Sequence, residues 1–331
     1  MRAEREPFVI AAVQAAPVFL DRDATIEKAC GLIAEAGAAG ARLAVFPEGF
    51  IPTYPFWVWF VPSGRTADLR QLYTKLLDNS LAIPDESTER LCAAAREAGV
   101  NVVMGVNERN AEASGTTLFN SLLYIDSSGE LRGTHRKLVP TVGERFVHAQ
   151  GDGSTLGVHE LDIGRVGGLI CWENYMPLAR YALYAWGTEI YVAPTWDRGE
   201  PWLSTLRHIA KEGRAYVVGA CSAVHRDHVP DEYGFKSAYL PGDLEWVNPG
   251  QSAIVDPDGK PLAGPAENEE TILYAEVDPA QLAGPRYQLD VAGHYGRPDV
   301  FELIVNRTPH PIVETIEEWG ADEDGSNDDA G

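Results

Sequence analysis

Residues 165–195 have the sequence RVGGLICWENYMPLARYALYAWGTEIYVAPT, in which three patterns follow one another. Residues 165–171 form a short apolar run typical of a buried strand. Residues 177–187 space apolar side chains as a helix does and end in a glycine, and residues 189–195 return to an apolar run. A strand, a helix and a second strand in this order favour a sheet that is covered by helices.

The same alternation extends in both directions along the chain, which predicts an α/β protein. The helix at 23–40 is expected to begin with a cap at Asp23 or Thr25. Two stretches rich in aromatic residues, 55–80 and 225–250, are interpreted as long surface loops that shape a pocket. Further strands are predicted at 7–14, 42–50, 100–108, 216–224, 252–260 and 271–277, a hairpin at 118–137, and further helices at 85–100 and 203–215.

Charge narrows the classes of partner. The 331 residues carry a net charge of −22, so neither nucleic acid nor an anionic membrane is an expected partner. No apolar run approaches the ~20 residues that span a bilayer, and the first residues do not resemble a signal peptide, so we expect a cytoplasmic enzyme. We expect one domain at 1–310 and a solvated, disordered acidic tail at 311–331.

The cysteines form neither a CxxC pair nor a zinc-like cluster, so reduced thiols are expected. Cys30 and Cys92 fall on the core faces of predicted helices, and Cys221 falls inside an apolar strand. Cys171 has two open interpretations at this point, a packed thiol or a nucleophile. The apolar run before it favours the packed thiol.

Three residues with useful chemistry follow predicted strands: Glu48, Lys137 and Cys171. Ligands of open α/β folds gather at the carboxyl ends of strands, so these side chains are expected to converge. A carboxylate can take the thiol proton, and a lysine can stabilise negative charge on the substrate. Taken alone, Cys171 is more often a packed thiol and Lys137 a solvated cation, and Glu48 could be a surface carboxylate or a ligand for a backbone amide.

Longer segments resemble a known family. FPEGFIPTYPF (46–56), HRKLVPTVGERFVHAQGDGS (135–154) and CWENYMPLARYALYAWGTEIY (171–191) resemble the three signature regions of the nitrilase superfamily. GHYGRPDVF (293–301) resembles a segment of the nitrilases proper, and the resemblance extends from about residue 7 to about 305.

The resemblance implies a role for each matching residue. It makes Cys171 the nucleophile, Glu48 the general base and Lys137 the group that stabilises the tetrahedral intermediate. Glu144 would hold the lysine and the incoming substrate or water. The resemblance further implies a four-layer α-β-β-α sandwich, no metal or organic cofactor, and homodimers that extend into larger spirals.

The branch resemblance implies hydrolysis of a small-molecule nitrile to an acid and ammonia through a thioimidate and a thioester. The alternatives are an amidase, a relative that hydrates nitriles or hydrolyses cyanide, and a catalytically silent scaffold that self-assembles. Glu173 is interpreted as a support for the turn rather than as the base. The residues expected to bind substrate are Tyr54, Trp57, Thr141, Trp172 and Trp196.

Overall fold

The computed structural model describes residues 6–311 and residue 313. Of the predicted acidic tail at 311–331, all but residues 311 and 313 lie outside the described residues. Within the described part of the chain, no helix is long and apolar enough to cross a membrane.

The part of the chain that the structure describes contains fourteen strands and seven α-helices. The strands are β1 (Phe8–Gln14), β2 (Ala41–Val45), β3 (Asn101–Arg109), β4 (Leu118–Ile125), β5 (Leu131–Arg136), β6 (Val158–Leu161), β7 (Gly164–Gly168), β8 (Ile190–Val192), β9 (Tyr216–Gly219), β10 (Ala223–His225), β11 (Trp246–Pro249), β12 (Ala253–Val255), β13 (Pro261–Ala263) and β14 (Thr271–Val277). The α-helices are α1 (Arg22–Ala38), α2 (Thr66–Asp78), α3 (Glu86–Ala98), α4 (Pro177–Ala185), α5 (Glu200–Gly213), α6 (Phe235–Tyr239) and α7 (Ala283–Gln288).

Two six-stranded sheets form the centre of the molecule. Their strand orders are β14-β1-β2-β3-β4-β5 and β13-β12-β9-β8-β7-β6, and β10 pairs with β11 in a separate ribbon. The strands β1, β2 and β3 are parallel, as are β7, β8 and β9, and antiparallel strands flank both groups.

The two sheets pack face to face, and helices cover their outer faces. Along β1, Ile10 and Ala12 belong to the core between the sheets, while Ala11 and Val13 pack with the residues of α1 and α3. A corresponding outer cluster joins α4 and α5 to the second sheet. Strands with both faces buried explain the nearly continuous apolar runs. The predicted four-layer α-β-β-α sandwich is confirmed.

The helix ends show where local prediction succeeded and where it did not. At the start of α1, the Asp21 carboxylate accepts a hydrogen bond from the Ala24 N–H (3.0 Å), so the cap lies before both Asp23 and Thr25. In α3, Asp85 and Thr88 form the reciprocal cap, and Gly99 (φ +66°) ends the helix. In α1, Asp21 and Asp23 are equally suitable as cap residues, and the sequence pattern does not distinguish them.

The two predicted surface loops are corrected. The stretch 55–80 contains the 3-10 helix Phe56–Trp59 and all of α2, which buries Leu72 and Leu76. The stretch 225–250 contains α6 and β11 besides short 3-10 turns. The leucines of α2 have helical spacing, but the aromatic, proline and glycine residues of the stretch are typical of a loop. Both stretches contribute to one apolar cluster that contains Tyr54 and Trp196.

Candidate active site

Cys171 lies in a sharp turn beyond the end of β7. It begins the 3-10 helix Cys171–Tyr175 with φ +52°, and its N–H donates to the Pro194 carbonyl (2.9 Å). The strand before the turn lies close to β8, since a Cβ at Gly168 would lie 1.8 Å from the Val192 oxygen. A positive φ at a residue other than glycine costs conformational energy, and such residues cluster at functional sites.

The carboxylate of Glu173 holds this turn in place. Its oxygens accept hydrogen bonds from the N–H groups of Ile170 (2.8 Å) and Leu138 (2.6 Å), and one of them lies 3.1 Å from His135 Nε2. Ile170 precedes Cys171, and Leu138 follows Lys137. Glu173 therefore joins the two backbone segments that carry these side chains, in agreement with its interpretation as a support.

A buried ionic network contains Glu48, Lys137 and Glu144. Lys137 Nζ donates to Glu48 Oε1 (2.8 Å) and to Glu144 Oε2 (2.7 Å). Glu48 also accepts hydrogen bonds from Asn120 Nδ2 (2.7 Å) and from the Trp196 N–H (2.8 Å). One ammonium between two carboxylates, with further hydrogen-bond donors, offsets part of the cost of burying three charges.

Glu144 is fixed by two of the residues predicted to bind substrate. Tyr54 Oη donates to Glu144 Oε1 (2.7 Å), and the Thr141 N–H donates to Oε2 (2.8 Å). Trp59 Nε1 donates in turn to Tyr54 Oη (3.3 Å). Tyr54 and Thr141 therefore position the network as well as line the neighbouring cavity.

Burial and charge set the protonation of the site. Burial raises the pKa of the Glu48 carboxyl to about 7 against the lowering effect of Lys137. Burial alone would lower the pKa of Lys137, but the Glu48 and Glu144 carboxylates raise it above its usual range. Burial and the charge of Glu48 raise the pKa of the Cys171 thiol. At neutral pH the site thus holds a thiol, an ammonium and a carboxylate poised to accept a proton.

A cavity of about 260 Å³ opens beside Cys171. Of the nine residues assigned to the site from sequence, six line it. The lining residues are Tyr54, Trp59, Phe60, Thr141, Val142, Glu144, Cys171, Trp172, Trp196, Asp197, Arg198 and Val247. Glu48 and Lys137 lie fully buried behind this lining, where their charges act on the Cys171 thiol.

Trp57 does not line the cavity. It is fully buried, and its ring packs against Phe19 (centroids 6.0 Å apart) and Phe56 (6.2 Å). Two positions along the same 3-10 helix, Trp59 lines the cavity and is 43% exposed. The structure therefore places Trp59 at the cavity instead of the predicted Trp57.

Several site residues were not found from the sequence. Asn120 donates a hydrogen bond to Glu48 from β4, where two adjacent polar residues in a mostly apolar strand were the available signal. Asp197 accepts a hydrogen bond from Trp172 Nε1 (2.8 Å), and its neighbour Arg198 is the one basic residue in the cavity lining. Within residues 6–311 and 313, no group of three His, Cys, Asp or Glu side chains could hold a metal ion.

Comparison with known proteins identifies the family of this chain. A family model described as carbon-nitrogen hydrolase matches residues 9–287. The chain belongs to the carbon-nitrogen hydrolase family. The predicted resemblance to the nitrilase superfamily is confirmed, and this carbon-nitrogen hydrolase is an enzyme that acts on carbon–nitrogen bonds.

Two curated relatives match this hydrolase over most of its length. An aliphatic nitrilase of Sinorhizobium fredii (strain HH103) is 44% identical over 310 residues, which cover 93% of this chain and 98% of that protein. Nitrilase 1 of Arabidopsis thaliana is 40% identical over 95% of this chain and 91% of its own. Among solved structures, the C. elegans NitFhit protein has a TM-score of 0.68 at 21% identity, covering 94% of this chain and 70% of that one. That likeness shows the fold alone.

Proposed function

We propose that this carbon-nitrogen hydrolase is a nitrilase, which converts a nitrile and two water molecules into a carboxylic acid and ammonia. The observation that carries the proposal is the 44% identity, over nearly the full length of both chains, to a protein named aliphatic nitrilase. The cavity supports it, because five aromatic residues line it together with the Cys171 thiol and suit an apolar substrate.

The first half of the proposed reaction forms a covalent intermediate. Glu48 accepts the proton of the Cys171 thiol, and the sulfur attacks the nitrile carbon. A C–S bond forms while one π pair of the C≡N bond moves to nitrogen, which takes the proton from Glu48 to give a thioimidate. Glu48 is then a carboxylate again. Lys137 and the Trp172 N–H stabilise the negative charge that develops on nitrogen.

The second half consumes water twice. Glu48 takes a proton from the first water as the water oxygen adds to the thioimidate carbon, and passes this proton to the nitrogen. The new hydroxyl group then gives up its proton, which Glu48 also passes to the nitrogen, and the C–N bond of the tetrahedral species breaks to release ammonia. This leaves a thioester on Cys171. A second water, again deprotonated by Glu48, attacks the thioester carbon; the C–S bond breaks and the acid leaves. Cys171 regains its proton.

The remaining assignments concern positioning and the substrate. We assign Glu144 to holding Lys137, which its 2.7 Å hydrogen bond supports. We assign Tyr54, Thr141, Trp172 and Trp196 to the substrate cavity.

We further propose one catalytic domain at 1–310, a homodimer or larger spiral, and a cytoplasmic location. Leu178 in α4 is 68% exposed and Tyr175 is 45% exposed, which supports association through this surface. The four cysteines form no disulfide, which supports a reducing compartment. Light scattering of the purified protein tests the association, and a monomer at micromolar concentration would contradict it.

The proposed function is tested by product analysis. Aliphatic, aryl and arylacetonitriles are incubated with the enzyme beside their matched amides, and ammonia, acid and amide are quantified. We expect acid and ammonia in equal amounts from at least one nitrile class. Turnover of amides with no turnover of any nitrile would identify an amidase and overturn the proposal.

A further inference from the structure

A second cavity, of about 520 Å³, lies at the edges of both sheets. Its walls include Gly133 and Thr134 of β5, the last strand of the first sheet, and residues 158–160 of β6, the last strand of the second sheet. It shares no lining residue with the cavity at Cys171. Nothing in the proposed nitrile chemistry uses it.

Three arginines line this second cavity: Arg132, Arg165 and Arg307. Arg132 pairs with Glu130 (2.9 Å) and Asp126 (3.9 Å), which both lie outside the lining. Arg165 has a buried Nε without a hydrogen-bond partner, and the Arg307 guanidinium lies 5.4 Å from the Trp186 ring. Among the described residues, neither Arg165 nor Arg307 forms an ion pair.

Among the described residues, the lining of this cavity holds more arginines than carboxylates. Glu160 is the one carboxylate in the lining, and Glu189 accepts a hydrogen bond from the backbone N–H of Arg165. The chain as a whole has a net charge of −22, so a cavity lined by three arginines differs in charge from the rest of the protein. Like charges held close together cost electrostatic energy unless an anion offsets them.

We propose that this cavity is a binding site for a small phosphorylated anion, separate from the active site. Guanidinium groups donate paired hydrogen bonds to phosphate oxygens, and a phosphate offers oxygens in several directions where a planar carboxylate offers two. The hydroxyl of Thr155 accepts a hydrogen bond from the Arg136 N–H (3.1 Å), so its own hydrogen is available to the ligand.

His159 gives the site an independent spectroscopic signal. Its ring lies 4.2 Å from the Tyr124 ring, and its Nε2 is buried without a partner. Burial, then His135 and the charges of Arg132 and Arg307, lower the pKa of His159 to about 4. An anion among the arginines weakens this repulsion, so its binding raises the pKa of His159.

The test is a calorimetric titration of the full-length protein with inorganic pyrophosphate at constant ionic strength, with succinate as the carboxylate comparison. We expect binding of pyrophosphate at least tenfold tighter than that of succinate. Arg307→Gln, a change at an exposed side chain, and Arg165→Gln should each weaken pyrophosphate binding about fivefold or more. Arg70→Gln, at an exposed position of α2 outside both cavities, is the matched control and should bind as the wild type does.

Two further measurements show which of the two cavities binds pyrophosphate. Arg198→Gln removes the basic residue of the cavity at Cys171, so loss of pyrophosphate binding in this variant would place the anion in the active site and overturn the proposal. An NMR titration of the wild type should show the pKa of His159 rising with pyrophosphate. Binding that persists in the Arg165→Gln/Arg307→Gln double variant, equal affinity for succinate, or an unmoved His159 would also overturn it.

Discussion

Cys171 and Cys221 follow two strands, β7 and β9, that lie on either side of β8 in one sheet. Both are buried, and burial raises the pKa of both thiols. Cys221 Sγ lies among neutral acceptors, including Asn248 Oδ1 at 3.7 Å, and does not line the cavity. Cys171 lines the cavity in front of Glu48 and Lys137. Burial alone therefore makes neither thiol reactive. Cys171 differs from Cys221 because it has a base nearby and is accessible to a substrate in the cavity.

The largest predicted effect separates the two thiols by substitution. Cys171→Ala removes the proposed nucleophile and should abolish ammonia release from nitriles, with the melting temperature preserved as evidence of folding. Cys221→Ala is the matched control and should retain turnover within about threefold, because its sulfur does not line the cavity. The sulfur reaches the lining only through the backbone carbonyl of Asp197 (3.7 Å). Equal losses in the two variants would break the distinction.

The next effect tests the base that distinguishes Cys171. Glu48→Gln keeps the size of the side chain, and Glu144 still pairs with Lys137. Loss of a general base typically costs 10²–10⁴-fold in rate, so we expect kcat to fall by roughly 10³-fold. Steady-state kinetics on a turned-over nitrile measure this. If kcat decreased by less than about tenfold, Glu48 would not be the base that accepts the proton of Cys171.

A third effect depends on pH. Glu48 accepts a proton only as the carboxylate, which predominates above its raised pKa of about 7. We therefore expect kcat/KM to fall up to tenfold per unit as the pH decreases below 7. His148 cannot cause this fall in kcat/KM near pH 7, since burial lowers its pKa to about 4. The residual activity of Glu48→Gln should not show this fall below pH 7. If the fall persists in the variant, a group other than Glu48 causes it.

The difference between the two cysteines was only partly predictable from sequence. Apolar runs located the strands, and the motifs around Glu48, Lys137 and Cys171 located the network. The facing of individual side chains was not predictable. Within one 3-10 helix, Trp57 turns into the core and Trp59 toward the cavity, and an amphipathic pattern of four residues does not fix its own rotation.

Contacts between distant parts of the chain were also beyond the sequence pattern. Asn120 reaches Glu48 only because β4 and the end of β2 lie in one sheet, with β3 between them. Arg198 lines the cavity because the chain turns after β8, and nothing in its neighbours marks it. Sheet order brings such residues together, and it depends on the packing of the whole domain.

The smallest predicted effect concerns the stability that Cys221 provides. Its sulfur fills space next to Asn248 and Ser222, and its N–H donates to Ser252 Oγ (2.9 Å), a bond that substitution of the side chain leaves in place. Cys221→Ala should therefore lose only the packing of one sulfur atom, about 1–2 kcal/mol of unfolding free energy. Urea denaturation measures this, with Cys30→Ala, at a partly exposed position of α1, as a control that should lose less. If Cys221→Ala were neutral in stability but impaired in turnover, Cys221 would belong to the active site, and the contrast with Cys171 would fail.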